Sequence, residues 1–247
     1  MGLHLCYDLA LPAAVREGEA AGLVHRLHAY ARTRPFRGVS RVIRLAGRQL
    51  VDVPRLRGLR YNAIEDVAHL AAAFAREELY ARAIGLDEED SAAFWNLRVP
   101  ADLPAVALGF AVAPGDGSEP AAFGVARLTG AAEHRALGWW WHKCTKTQYA
   151  SRYGDEHLLR VHGSLVDVLV EAGRLGFVTE IRDEFGYWPE RDPETLFAAA
   201  REMNAVVARF AGAFTDAVRE AGGDSRGVDS PIFRHPDFER LEGESAQ

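Results

Sequence analysis

The chain has 247 residues, 48% hydrophobic and 26% charged, which is enough apolar material for a sizeable core and excludes disorder as the main state. Its net charge of −6 argues against generic binding to nucleic acid, which needs a positive field to displace phosphate counterions. No apolar run is long enough to cross a bilayer, and the first residues lack the basic start and apolar core of a signal peptide.

Residues 3–11 alternate Leu3, Leu5, Tyr7, Leu9 and Leu11 against His4, Cys6, Asp8 and Ala10, which predicts a half-buried strand. Pro12 ends it, and a helical stretch follows to about Arg34 with Val24, Leu27, His28 and Ala31 on one face. Val39, Arg41, Ile43 and Leu45 resume the strand period, so residues 3–46 read as a βαβ unit. The arginine runs 32–37 and 55–60 read as solvated faces. Ile64 to Ile84 has helical spacing, and 86–90 reads as an exposed acidic turn.

A hairpin comes next. Val106, Leu108, Phe110 and Val112 alternate with Ala and Gly, Pro114-Gly115-Asp116-Gly117 supplies the bend, and Ala122 to Leu128 returns. Its small-residue faces admit a helix or a ligand close to the backbone, helix packing being the more frequent reason. Trp139 to Tyr149 reads as a long strand. A helix from about Glu156 to Arg174 follows, with Asp155 as its cap and His162 as a hydrogen-bonded core histidine in the apolar stripe. Gly176 stops it, and Phe177, Thr179 and Ile181 give another strand. Asp192-Pro193 opens the last helix, about 193–220, and the tail 231–238 carries enough apolar residues to dock on the body. These elements predict one α+β domain over 1–240, a mainly antiparallel sheet covered by helices, with a loose tail at 241–247.

A shift of 138 residues lays 3–46 on the βαβ unit at 138–184, with His4 on His142 and Cys6 on Cys144. This suggests two ferredoxin-like halves. The repeated His-x-Cys resembles the His-x-Thr or His-x-Ser pairs of the two-histidine phosphoesterases. That resemblance implies a duplicated fold with His4 and His142 as acid and base across a phosphodiester. Cys6 and Cys144 stand where that family has a hydroxyl, and the two motifs lie further apart than its pattern.

Only two lysines occur, Lys143 and Lys146, against 27 arginines. Both lie in 139–149 with three of the five Trp and with Cys144, so an ammonium rather than a guanidinium is wanted there. Strand alternation places Trp140, His142, Cys144, Lys146 and Gln148 on one side. Chemistry at this segment would use His142, Cys144 and Lys146, with Lys146 lowering the thiol pKa, His142 accepting its proton and Asp183 as a further base. Ligand binding would use Trp139, Trp141, Lys143, Lys146, Gln148 and Tyr149, and the carboxylates of 180–184 would pair with the lysines. The competing structural reading is an edge strand whose lysines discourage pairing while the Trp rings cover core.

Two His-x-Cys pairs could in principle close a Cys₂His₂ zinc site, but such sites come from tight knuckles rather than flat strands. His157 and His162 are five apart and give no metalloprotease motif. No metal or cofactor is expected, and two cysteines imply no disulfide framework. The functional expectation is a reduced, soluble, cytoplasmic binding or regulatory protein, with a recognition surface at 139–149 and 180–191 for a small anionic ligand or a protein. The alternative is an enzyme acting on a small anionic substrate, phosphate-bearing ones included. Neither nucleic acid nor membrane is expected as a partner.

Overall fold

The computed structural model describes residues 2–50, 63–86 and 91–220. The arginine run at 55–60, most of the acidic turn and the tail beyond 220 lie outside them. The strands are β1 (His4–Leu11), β2 (Gly38–Val39), β3 (Ile43–Ala46), β4 (Ala105–Ala113), β5 (Ala121–Leu128), β6 (Trp139–Lys146) and β7 (Val178–Asp183). The helices are α1 (Glu17–Ala31), α2 (Ile64–Ala83), α3 (Ser91–Trp95), α4 (Ala132–Ala136), α5 (Asp155–Leu175) and α6 (Pro193–Glu220). All seven strands join one antiparallel sheet in the order β2-β4-β5-β6-β1-β7, with β3 also on β4. The α+β class expected from the alternating elements is therefore the observed one. Among the described residues no helix is long and apolar enough to cross a membrane.

The period of two in β1 is realised residue by residue. Leu5, Tyr7, Leu9 and Leu11 are buried while His4, Cys6, Asp8 and Ala10 are partly exposed. Tyr7 stacks on Phe123 with centroids 5.2 Å apart, Phe123 meets Phe110 at 5.6 Å, and His28 of α1 stands edge-on to Phe110 at 5.1 Å. Each fully buried side chain of this size contributes about 2–3 kcal/mol by leaving water. Helix α1 packs on β4, β5 and α5, while the alanine-rich α2 packs on β3 to β6.

The two predicted βαβ units fare differently. Strands β6 and β7 both pair antiparallel to β1, so β6-α5-β7 is a split unit with β1 inserted. The 3–46 unit does not close on itself. Strands β2 and β3 pair with β4, three strands away from β1, because the β4–β5 hairpin occupies the place beside β6. Residues 40–42 also interrupt the strand expected over 39–45. Ser40 holds the break by exchanging 2.8 Å bonds with the backbone of Ala111.

Three local expectations are corrected. Helix α1 begins at Glu17 rather than soon after Pro12, with the Glu19 side chain accepting from the Arg16 N–H at 2.9 Å. Strand β6 ends at Lys146, and residues 148–153 coil into a 3₁₀ helix. Asp155 is the first helical residue rather than the cap. Gly154, at φ 97°, takes the cap position, and the Asp155 carboxylate faces the positive helix end. The Asp192 cap is as expected, accepting from the N–H groups of Glu194 and Thr195 at 3.2 Å.

The small-residue faces of the hairpin also receive a side chain. A Cβ on Gly109 would lie 2.8 Å from the Trp141 ring and 2.9 Å from the Phe123 carbonyl oxygen. Gly22, exposed in α1, has open space. Gly109→Ala should therefore lose about 1–3 kcal/mol, and Gly22→Ala should gain about 0.5–1 kcal/mol. Denaturant midpoints check both signs.

Candidate functional site

The register of β1 against β6 builds the site. His4 lies opposite Lys146, Cys6 opposite Cys144 and Asp8 opposite His142, all on one face of adjacent strands. On the other side of β1, Arg182 lies opposite Cys6 and Glu180 opposite Asp8. Directly opposed positions bring the Cys6 and Cys144 Cα atoms to 4.0 Å, and the sulfurs form a disulfide. This corrects the expectation of reduced cysteines and a free Cys144 thiol. Two half-cystines 138 residues apart give no local spacing from which the bond can be read.

His142 sits against this bond. Its Nε2 is 3.5 Å from Cys144 Sγ, and its Nδ1 is 3.0 Å from Asp8 Oδ1. A carboxylate can only accept, so Nδ1 carries a hydrogen toward Asp8 and Nε2 is the ring nitrogen that faces the sulfur. Asp8 also accepts from Arg182 at 3.2 Å, which fixes the carboxylate from the far side. Trp140 stacks on His142 at 5.9 Å and lies under the Arg82 guanidinium at 4.2 Å. The Asp8 side chain is 15% exposed and that of His142 28%, so the group is reachable from solvent but partly desolvated. His4 is engaged elsewhere, with Nδ1 3.1 Å from Glu184 Oε2.

The remaining candidates part company. Trp139 and Trp141 are buried; their indole N–H groups donate to the Val15 and Ala122 carbonyls at 2.9 Å. Gln148 is buried too, accepting from the Leu3 N–H at 3.1 Å and donating to Asn204 at 2.7 Å. These three are hydrogen-bonded within the core. Strand β6 is central, so the edge-strand reading of its lysines is also corrected. Lys146 Nζ lies 4.7 Å over the Tyr149 ring. Desolvation pulls both lysine pKa values below the ordinary range, and Glu119 opposes that shift in each case. Glu119 is thus a carboxylate that acts on both ammonium groups.

Asp183 lies on a buried hub instead. Its Oδ2 is 3.1 Å from His162 Nε2, and His162 Nδ1 is 2.9 Å from Thr147 Oγ1. Its carboxylate also accepts from the N–H groups of Phe185 and Trp188 at 3.0 and 2.9 Å. Phe185 and Tyr187 stand edge-on to the His162 ring, which turns the aromatics of the 184–188 loop inward. His162 is the core histidine expected, with neither its side chain nor that of Asp183 exposed.

Asp8, Glu119 and Arg182 were missed by sequence reasoning. Only Asp8 carried a signal, its place two residues after Cys6 on the polar face of a strand. Among the described residues, no three His, Cys, Asp or Glu side chains converge as a metal site. No protein-family model matches the chain, and no curated protein or solved structure is similar to it.

Burial by itself would raise the Asp183 pKa, but the hydrogen bond and charge of His162 and the two N–H groups hold it below the usual carboxylate range. A depressed folded pKa adds stability above the unfolded value of about 3.9, and this is lost as pH falls through the folded value. Asp183→Asn should therefore flatten the fall in stability below about pH 4. Chemical denaturation between about pH 2 and 6 reads it, and an unchanged slope would contradict the assignment.

For the lysines, Lys143→Arg should cost about 1–3 kcal/mol, because a half-buried site cannot take the larger guanidinium fork. Arg37→Lys at an exposed position should stay within about 0.5 kcal/mol. Equal denaturation midpoints for the two variants would remove the argument from lysine's rarity.

Proposed function

We propose that this chain is a redox-responsive regulatory protein, working in a reducing compartment such as the cytoplasm, whose state is set by the Cys6–Cys144 pair. The observation that carries the reading is a cross-strand disulfide on a partly exposed sheet face with His142 Nε2 3.5 Å from one of its sulfurs. A purely structural bond has no use for an acid–base group against its sulfur. In reducing compartments disulfides are commonly transient, catalytic or sensing.

The bond is also energetically consequential. It joins strands 138 residues apart, and closing a loop of that length restricts the unfolded chain by about 4–5 kcal/mol in the chain-entropy account. Opening the pair would therefore loosen the attachment of β1 to β6, on which β7 also depends. Binding of a small anionic ligand or a protein partner, coupled to that change, is the natural output. Chemistry on a small anionic substrate at Lys146 has less support, since Glu119 already acts on both ammonium groups.

The test is thiol accessibility in the native protein. Mild dithiol treatment should expose two alkylatable thiols without unfolding, and a small oxidised disulfide should close them again. The reduced form should denature at lower denaturant. A bond that yields to reductant only after denaturation would make it a structural staple and end this reading.

A further inference from the structure

The disulfide has two ends, and the fold treats them differently. Resting on the redox reading above, we infer that Cys144 is the exchanging sulfur, with His142 as its acid–base group and Asp8 as the residue that positions His142. Cys6 is the resolving thiol, and the co-substrate is a low-molecular-weight disulfide.

The asymmetry comes from the register. Residue 6 + k of β1 pairs with residue 144 − k of β6, so the 138-residue shift is a local two-fold axis through the Cys6–Cys144 pair. Under that axis His4 matches His142, but Asp8 matches Lys146. On the face that carries the disulfide, the symmetry already breaks one step beyond the cysteines, at this pair of positions. His142 therefore has a carboxylate across from it, whereas His4 has an ammonium. Asp8 holds the His142 ring by its Nδ1 and so aims its Nε2 at Cys144. His4 is instead held by Glu184, which accepts from both its ring and its backbone N–H. On the same face, Lys146 follows Cys144 along β6, and Arg182 lies opposite Cys6 with its guanidinium on Asp8 and 4.0 Å from Glu180.

The exchange follows from these positions. In the reduced protein the Cys144 proton passes to His142 Nε2. The thiolate attacks one sulfur of R–S–S–R, a Cys144–S–R bond forms, and the departing RS⁻ takes the proton from His142 as RSH. Cys6 then attacks the Cys144 sulfur, the Cys144–S–R bond breaks, and the second RS⁻ leaves with the Cys6 proton. One dithiol and one small disulfide give one protein disulfide and two small thiols. Both cysteines sit in mid-strand, between the stacked Trp140–His142 pair and Arg182, where a slender molecule reaches sulfur and a folded partner's disulfide does not.

The experiment is limited alkylation of the reduced protein with iodoacetamide from about pH 5 to 9, read by peptide mass spectrometry. Cys144 should react about tenfold faster than Cys6 near pH 6–7. His142→Gln should abolish that preference, and Asp8→Asn should move the Cys144 pH profile upward. Two further variants do not depend on either substitution being tolerated. With oxidised glutathione as probe, Cys6→Ser should trap a mixed disulfide on Cys144, and Cys144→Ser should form one on Cys6 about tenfold more slowly. Equal rates at the two sulfurs, or a preference that survives His142→Gln, would overturn the assignment while leaving a reversible pair intact. A pair that never opens in the native protein would overturn the redox reading itself.

Discussion

The register of β1 on β6 is the constraint on which the molecule depends. Both strands lie inside the sheet, and among the described residues β7 joins it through β1. One register brings Cys6 onto Cys144 and Asp8 onto His142, and at the same time turns Leu5, Tyr7 and Leu9 into the core. A slip by one residue would separate the sulfurs and bury His4, Cys6 and Asp8 in place of the apolar set. Apolar burial and the polar site thus select the same alignment. The core fixes the site's geometry, and the disulfide fixes the core's alignment.

Two constellations of the same general chemistry occur a short way apart along β6. Thr147–His162–Asp183 has a hydroxyl, an imidazole and a carboxylate at bonding distances of 2.9 and 3.1 Å. Cys144–His142–Asp8 has a sulfur, an imidazole and a carboxylate at 3.5 and 3.0 Å. Distances alone do not separate them, but burial does. The first is sealed, and its carboxylate also holds the N–H groups of Phe185 and Trp188, so it fastens the loop after β7 to α5. The second is partly open, and its sulfur belongs to a disulfide.

Much of the fold was legible because its rules are local. The alternation in β1, the hairpin of β4 and β5, the Asp192 cap and the inward placement of His162 each rest on spacing within a dozen residues. The 138-residue shift set His4 on His142 and Cys6 on Cys144 as copies, which the register turns into a local two-fold about the cysteines and not a duplicated unit. What it could not hold was strand order. The hairpin β4–β5 takes the place beside β6, and this displaces β2 and β3, makes β6 central and hides Trp139 and Trp141. A strand with polar residues on both sides reads as an edge only if no neighbour needs that pattern. Here Asp8 answers His142 from β1, and Glu119 accepts from the Lys146 N–H at 3.2 Å from the loop before β5.

The scarcity of lysine takes on a physical meaning at this point. In a chain that writes arginine for nearly every positive charge, position 146 is the two-fold counterpart of Asp8. A carboxylate there would face His4 as Asp8 faces His142. A guanidinium there would reach further along the face and offer a planar fork to Glu184 or Glu119. An ammonium is short and compact, and its backbone is tied in both directions to Glu119, so the strand end stays fixed while the charge remains local. It leaves His4 anchored by Glu184 rather than by a group facing it from β6. The local two-fold of this strand pair is in this way compatible with two unlike sulfurs.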